Sequence, residues 1–178
     1  SSFLGAFTSF ATYLIGEDSF KIVAWMMGYL GSASWQKVGI IAVPFTFCMI
    51  YFYLKRFELT ILLSGEDEAK SLGIDVDALK KRLLVIASLT VAFSVAFTGM
   101  IGFVGLIIPH SFRMLLNTSN NAILLPLSTL GGGAFLLACD VVGKSVLSPV
   151  EVPVGVISAF FGAPFFLFLA LYLKRSVH

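Results

Sequence analysis

The stretch LLVIASLTVAFSVAFTGMIGFVGLIIPHSF, residues 83–112, contains no Asp, Glu, Lys or Arg. A hydrocarbon core about 30 Å thick is crossed by about 20 mostly apolar helical residues. The run is too long for one crossing, and the use it makes of its excess decides the topology. Gly99, Gly102 and Gly105 recur at every third position near its middle. Glycine permits positive φ and close backbone approach, so the chain is expected to turn and pack closely there. Non-helical backbone survives at membrane depth where protein or a cavity surrounds it. A short return helix is then expected from about Gly105 past Pro109 to Leu116, with Pro109 in a first turn that tolerates its ring. The alternative is a single tilted helix whose small residues serve packing.

Charge decides between them, because cytoplasmic loops carry the excess of Lys and Arg. Residues 55–82 hold Lys55, Arg56, Lys70, Lys80, Lys81 and Arg82, the densest basic region, and are placed inside. Residues 38–54 then cross inward, Lys21 and Lys37 lie outside, and residues 3–15 run outward. One crossing for 83–112 leaves 7 basic residues inside and 5 outside, whereas a crossing plus a return leaves 9 and 3. The return reading is adopted.

The rest of the chain has the same character. Residues 38–54, 114–139 and 152–173 are also free of charge, and the 178 residues are 58% hydrophobic but only 12% charged. Soluble domains carry about 25% charged residues, and a soluble Phe-rich core would need every run buried on all faces. The net charge of +2 is too small to suggest nucleic acid. Cys48 and Cys139 lie inside apolar runs, where small buried thiols are common, and nothing points to a disulfide or a metal. Open sheets leave backbone groups unsatisfied in lipid, so the expected fold is an all-α, polytopic transmembrane helical bundle. Its expected order is a helix out (3–15), an interfacial segment (19–27), a helix in (35–54) and an inside loop (55–79). A helix out (80–98), the short return, a helix out (122–139) and a helix in (153–173) complete it. The chain opens Ser1-Ser2-Phe3, without Met or a basic signal region. The numbering is therefore expected to start inside a longer natural chain, with Lys174-Arg175-Ser176-Val177-His178 as a cytoplasmic end.

Within the inside loop, Ser64-Gly65-Glu66-Asp67-Glu68-Ala69-Lys70-Ser71-Leu72-Gly73-Ile74-Asp75 is the most informative stretch. Ser64 can cap a helix, with Asp67 three residues on. Glu66, Asp67 and Glu68 complement the dipole of its first turn, and Gly73 can end it in the left-handed conformation. Asp75 or Asp77 can cap a second segment, 78–83. Two short helices with a glycine bend on the cytoplasmic face form either a knob for a soluble partner or a solvated loop; periodicity alone leaves both open.

This loop resembles the coupling-helix segment of FecCD-type permeases, the subunits of ABC importers for ferric siderophores, haem or vitamin B12. Their pattern is roughly L-G-x-x-x-A-x-x-L-G, with Ser64 here in first place. Trp25-Met26-Met27-Gly28, with Gly31 and Trp35, is similar to the segment before the family's sixth helix. Gly102-Phe103-Val104-Gly105-Leu106-Ile107-Ile108-Pro109-His110 with Arg113 matches G-F-x-G-L-x-x-P-H-x-x-R. Leu124-Leu125-Pro126 and Asp140 fit the ninth helix. Glu151-Val152-Pro153-Val154-Gly155-Val156 and Gly162-Ala163-Pro164-Phe165 resemble the tenth.

The resemblance covers nearly the whole chain and implies the C-terminal half of a ten-helix subunit, about helices 5–10, with a short eighth helix. It implies a single permease domain over 1–178, with residues 55–82 as the coupling-helix loop. Ser64, Gly65, Glu66, Ala69, Leu72 and Gly73 would sit in a groove of a cytoplasmic ATPase. Lys144 would meet a carboxylate of an external binding protein, although the family often has Arg there, which binds bidentately where Lys offers a point charge. An ordinary interfacial lysine, or one paired with Asp140 four residues earlier, is the equal alternative. Gly102, Gly105, Pro109, His110, Arg113, Glu151, Pro153, Gly155 and Pro164 are expected to be structural, with His110 bonded inside the short helix and Arg113 at its cytoplasmic end. Phe160, Phe161, Phe165, Phe166 and Phe168 crowd the last helix, where such residues serve packing or lipid contact. Parts of 3–15 and 154–168 are expected to line the pathway.

The implied assembly has a second permease subunit, homo- or heterodimeric, in a bacterial or archaeal cytoplasmic membrane. Its partners are ATP-binding subunits, an extracytoplasmic binding protein, membrane lipid and a metal-chelate substrate. No cofactor belongs to this chain, since ATP and Mg sit on the ATPase. Gly143-Lys144-Ser145 ends like a phosphate loop, but Ala138 stands where a Gly is needed and no strand precedes it. A membrane enzyme finds no support: the histidines are His110 and His178, and no H-E-x-x-H or nucleophile elbow is present. The competing function is a proton- or ion-coupled secondary transporter, which needs carboxylates near the bilayer midplane. All ten acidic residues fall at or near expected span ends.

Overall fold

The computed structural model describes residues 2–15, 19–146 and 151–175. Among these, every regular element is a helix: α1 (Ser2–Ile15), α2 (Ser19–Met26), α3 (Trp35–Leu54), α4 (Arg56–Leu62), α5 (Glu66–Ser71), α6 (Val76–Thr98), α7 (Val104–Leu116), α8 (Asn121–Val146) and α9 (Val154–Arg175). Three of them, α3, α6 and α8, are long and apolar enough to cross a membrane, and α7 is shorter. At 1.5 Å per residue, the 13 residues of α7 span only about 20 Å. Pro44, Pro109, Pro126 and Pro164 all lie inside helices, as membrane helices tolerate better than soluble ones.

The bundle has two parts. Helices α3 and α6 pack together, as do α7, α8 and α9; α8 also touches α3, and α4 packs against both α5 and α8. Few side chains are buried, and Trp35, Val43, Leu115, Leu130 and Phe160 are largely exposed. Apolar faces of this kind are stable where lipid or apolar protein covers them.

Backbone bonds establish which helix ends lie together. Tyr29 N–H donates to Thr98 O at 2.9 Å, and Val152 N–H to Gly143 O at 3.1 Å. Gly155 N–H reaches Gly28 O at 3.4 Å. The start of α3 and of α9 and the ends of α2, α6 and α8 therefore share one end of the bundle. At the other end, Asn121 N–H donates to Thr60 Oγ1 at 3.3 Å, joining the start of α8 to α4. The chain from Thr98 must travel back through α7 to reach Asn121, so α7 is the return that the charge count favours.

The turn is built differently from the glycine spacing. Gly99 has φ 73°, but the second left-handed residue is Phe103 at φ 66°, not Gly102 or Gly105. A Cβ on Gly102 or Gly105 would meet nothing within 4 Å, whereas one on Gly99 would strike the Trp25 carbonyl. Left-handed backbone is unfavourable for a bulky residue. It is held here because the Phe103 ring lies against Gly162, where a Cβ would collide with it. Pro109 is also deeper than expected: α7 starts at Val104, so the proline is its sixth residue rather than part of its first turn.

Candidate functional site

At the charged end, the chain leaves α3 through Lys55, which is both the last cap of α3 and the first of α4. Helix α4 was not legible as a separate element. Lys55 Nζ bonds Glu58 Oε1 at 2.6 Å, and this contact holds the Glu58 carboxyl below its ordinary pKa. The Arg56 guanidinium lies 4.4 Å from the Tyr53 ring centroid and 4.6 Å from that of Phe57, a pair of cation–π contacts.

Helix α5 follows after Leu63 and Ser64. Ser64 does not cap it: the N-cap is Gly65, at φ 135° and ψ 156°, with no side-chain cap bond. That backbone is accessible essentially to glycine alone, so the capping-box reading gives way to a glycine start. The far end matches the expectation. Ile74 N–H donates to Ala69 O, Gly73 N–H donates to Lys70 O, and Gly73 is left-handed at φ 81°: a Schellman motif. Asp75, rather than Asp77, then caps α6, accepting from Ala78 N–H at 3.0 Å. Lys80 is paired with Glu66, and that contact keeps the Glu66 carboxyl below its usual value. The result is a capped elbow from α5 into α6, a helix long and apolar enough to cross a membrane.

The sequence-selected residues of this loop divide into two groups. Ala69 is fully buried, and Val76 and Leu79 at the start of α6 are buried as well. Glu66, Asp67, Lys70 and Ser71 are exposed, and Leu72 presents an apolar side chain that is 62% exposed. Ala69 thus belongs to the internal support of the elbow, and the outward surface is carried by its neighbours. A polar cavity of about 260 Å³ is lined by Lys55 and Glu58 at the start of α4 and by Gly73, Asp75 and Arg82 at the α5–α6 junction, among others.

The opposite end holds Lys144, Glu151, Pro153 and Gly155. Lys144 Nζ is 2.6 Å from Asp140 Oδ2, the i, i+4 pairing that the spacing allows. Glu151 Oε2 accepts the Tyr29 hydroxyl at 2.9 Å across 122 residues of sequence. That bond, and partial burial, hold the Tyr29 phenol above its ordinary pKa. Tyr29 was not singled out from the sequence, since nothing local announces so distant a partner. Pro153 directly precedes α9, and its carbonyl accepts Val156 N–H at 3.0 Å. Gly155 is wedged in, because a Cβ there would collide with the Met27 carbonyl. His110 Nδ1 lies 3.0 Å from Leu106 O within α7, and Arg113 sits in the last turn, where a cation complements the dipole. Pro164 lies within α9. Lys144 and Glu151 thus lie at one end, the elbow at the other, and no group of His, Cys, Asp or Glu suited to a metal ion occurs among the described residues.

These features define a multi-pass membrane protein with a charged, helix-built knob at one end and an ion-paired surface at the other. Residues 1–172 match the FecCD transport family, and the chain belongs to it. It is 42% identical over 93% of its length to the cobalamin import system permease protein BtuC of Halobacterium salinarum, covering 44% of that protein. It is 33% identical over 97% of its length to the hemin transport system permease protein HmuU of Yersinia pestis, covering 52% of it. The molybdate import system permease protein MolB of Haemophilus influenzae is 38% identical over 88% of this chain and 46% of its own length. The chain spans about half the length of the curated relatives it matches. A solved ABC transporter ascribed to the metal-chelate type, in an inward-facing conformation, superposes with a TM-score of 0.83 at 35% identity. That match covers 96% of this chain and 56% of the solved one.

Proposed function

We propose that this chain forms part of the translocation pathway of an ATP-driven importer for a metal chelate, of ferric-siderophore, haem or cobalamin kind, in a prokaryotic cytoplasmic membrane. The observation that carries this reading is the α5 elbow. A six-residue helix fixed by Gly65, the Schellman turn at Gly73 and the Asp75 cap exposes Glu66, Asp67, Lys70 and Leu72 beside the basic end of the bundle. It continues directly into α6. A rigid knob of this build suits a groove on a cytoplasmic ATPase, and it passes displacement into a membrane helix with little internal give. ATP binding would then shift the permease between outward- and inward-facing states through the different contacts the ATPase makes with each. At the other end, Lys144, paired with Asp140, is the docking point this reading assigns to an external binding protein, whose carboxylate would compete with Asp140 for the ammonium.

The test is purification of the full-length subunit from native membrane in mild detergent, beside a Leu72→Asp variant. Leu72 is exposed, so the substitution acts chiefly on the outward surface. An ATP-binding subunit that co-purifies with the wild type and is depleted with the variant is the expected result. A wild-type subunit without any nucleotide-binding partner would instead favour ion-coupled transport.

A further inference from the structure

We propose that α4 is a second transmission arm, carrying displacement of the α5 elbow into α8 through the Thr60–Asn121 hydrogen bond. This rests on the reading of α5 as the ATPase contact. The elbow is continuous with α6, which packs with α3, so displacement of α5 reaches that half of the bundle along the chain. Nothing covalent close by joins α5 to α7, α8 and α9. Helix α4 bridges them, since it packs against both α5 and α8.

The contact with α8 is specific. The first N–H groups of a helix have no partner within it. In α8, the Asn120 side chain takes one of them, accepting from Ala122 N–H at 3.0 Å. The Asn121 N–H is taken by another helix: Thr60 Oγ1 of α4 accepts it at 3.3 Å. The same hydroxyl donates to Arg56 O at 2.8 Å, so it is oriented by its own helix and has a lone pair left for α8. Leu124, one turn further along α8, is buried. Thr60 is thus a positioning residue that holds α8 to the moving loop.

The test uses the assembled, reconstituted full-length transporter and reads chelate transported per ATP hydrolysed. Thr60→Val keeps the shape but removes the hydroxyl, and Thr60→Ser keeps the hydroxyl. Asn121→Pro removes the N–H itself at a first helical position, where proline is well accommodated. Thr60→Val and Asn121→Pro are each expected to lower the transport-to-ATP ratio roughly two- to tenfold, the equivalent of one neutral hydrogen bond. Thr60→Ser is expected to restore the ratio, and the double variant to show no additive loss. An unchanged ratio, or equal falls in transport and hydrolysis, would overturn the proposal by reducing Thr60 to a structural role. If Thr60→Val does not assemble, Asn121→Pro decides in the same terms. Failure of the wild type to assemble with any ATPase would count against the importer reading itself.

Discussion

At the scale of single residues, three glycines of the decisive run behave differently, although their spacing is uniform. Gly99 has φ 73° and ψ −171°, a region essentially reserved for glycine, and a Cβ there would meet the Trp25 carbonyl. Gly99→Ala is therefore expected to destabilise the subunit by about 1–3 kcal/mol. Gly102→Ala, facing open space in this chain, should stay within about 0.5 kcal/mol of wild type; thermal unfolding in detergent separates them. Sequence alone could indicate a turn but not its hinge, because the choice depends on which backbone lies opposite. Phe103 shows the same limit, since its left-handed conformation is held by Gly162, far along the chain. The Tyr29–Glu151 bond has a further consequence. A phenol held above its ordinary pKa of 10.0 favours the folded state through its protonated form. That contribution is present below pH 10.0 and is lost as pH rises through the elevated value. Tyrosinate absorbance, differenced against Tyr29→Phe, should show Tyr29 ionising late in the wild type. In Glu151→Gln it should ionise closer to the ordinary value.

At the scale of elements, the α5–α6 elbow was largely legible and α4 was not. Helix-ending glycine and helix-starting aspartate act over a few residues, so Gly73 and Asp75 could be read directly. The Ser64 cap was displaced because a glycine at the N-cap reaches a backbone conformation that serine does not. Helix α4 has only 7 residues, too short to be stable alone, and it exists because α5 and α8 flank it. Such an element is specified by tertiary contact. Asp75→Ala removes the bond to Ala78 N–H and should cost about 1 kcal/mol of local stability. Hydrogen exchange in the first turn of α6 should quicken, with α8 unaffected.

At the scale of the whole molecule, the charge asymmetry favoured the short return that α7 makes between α6 and α8. Packing added the division into an α3–α6 pair and an α7–α9 group. The orientation can be checked with an impermeant thiol reagent, because Cys48 and Cys139 are both buried and should stay silent. A cysteine replacing exposed Ser71 should be labelled only from the cytoplasmic side, and one replacing exposed Ser145 only from the opposite side. Lipid-facing helices follow from composition alone; a cargo does not, since relatives of similar identity bear the names of cobalamin, hemin and molybdate systems. The proposed mechanism has ATP, acting through the α5 elbow, drive transport along these helices. Its most direct test is uptake into proteoliposomes holding the full-length subunit with its co-purified partners, compared between ATP on the elbow side and an imposed proton gradient without ATP. Uptake that requires ATP, ignores the gradient and falls with Leu72→Asp is the expected result. Uptake driven by the gradient alone would contradict it.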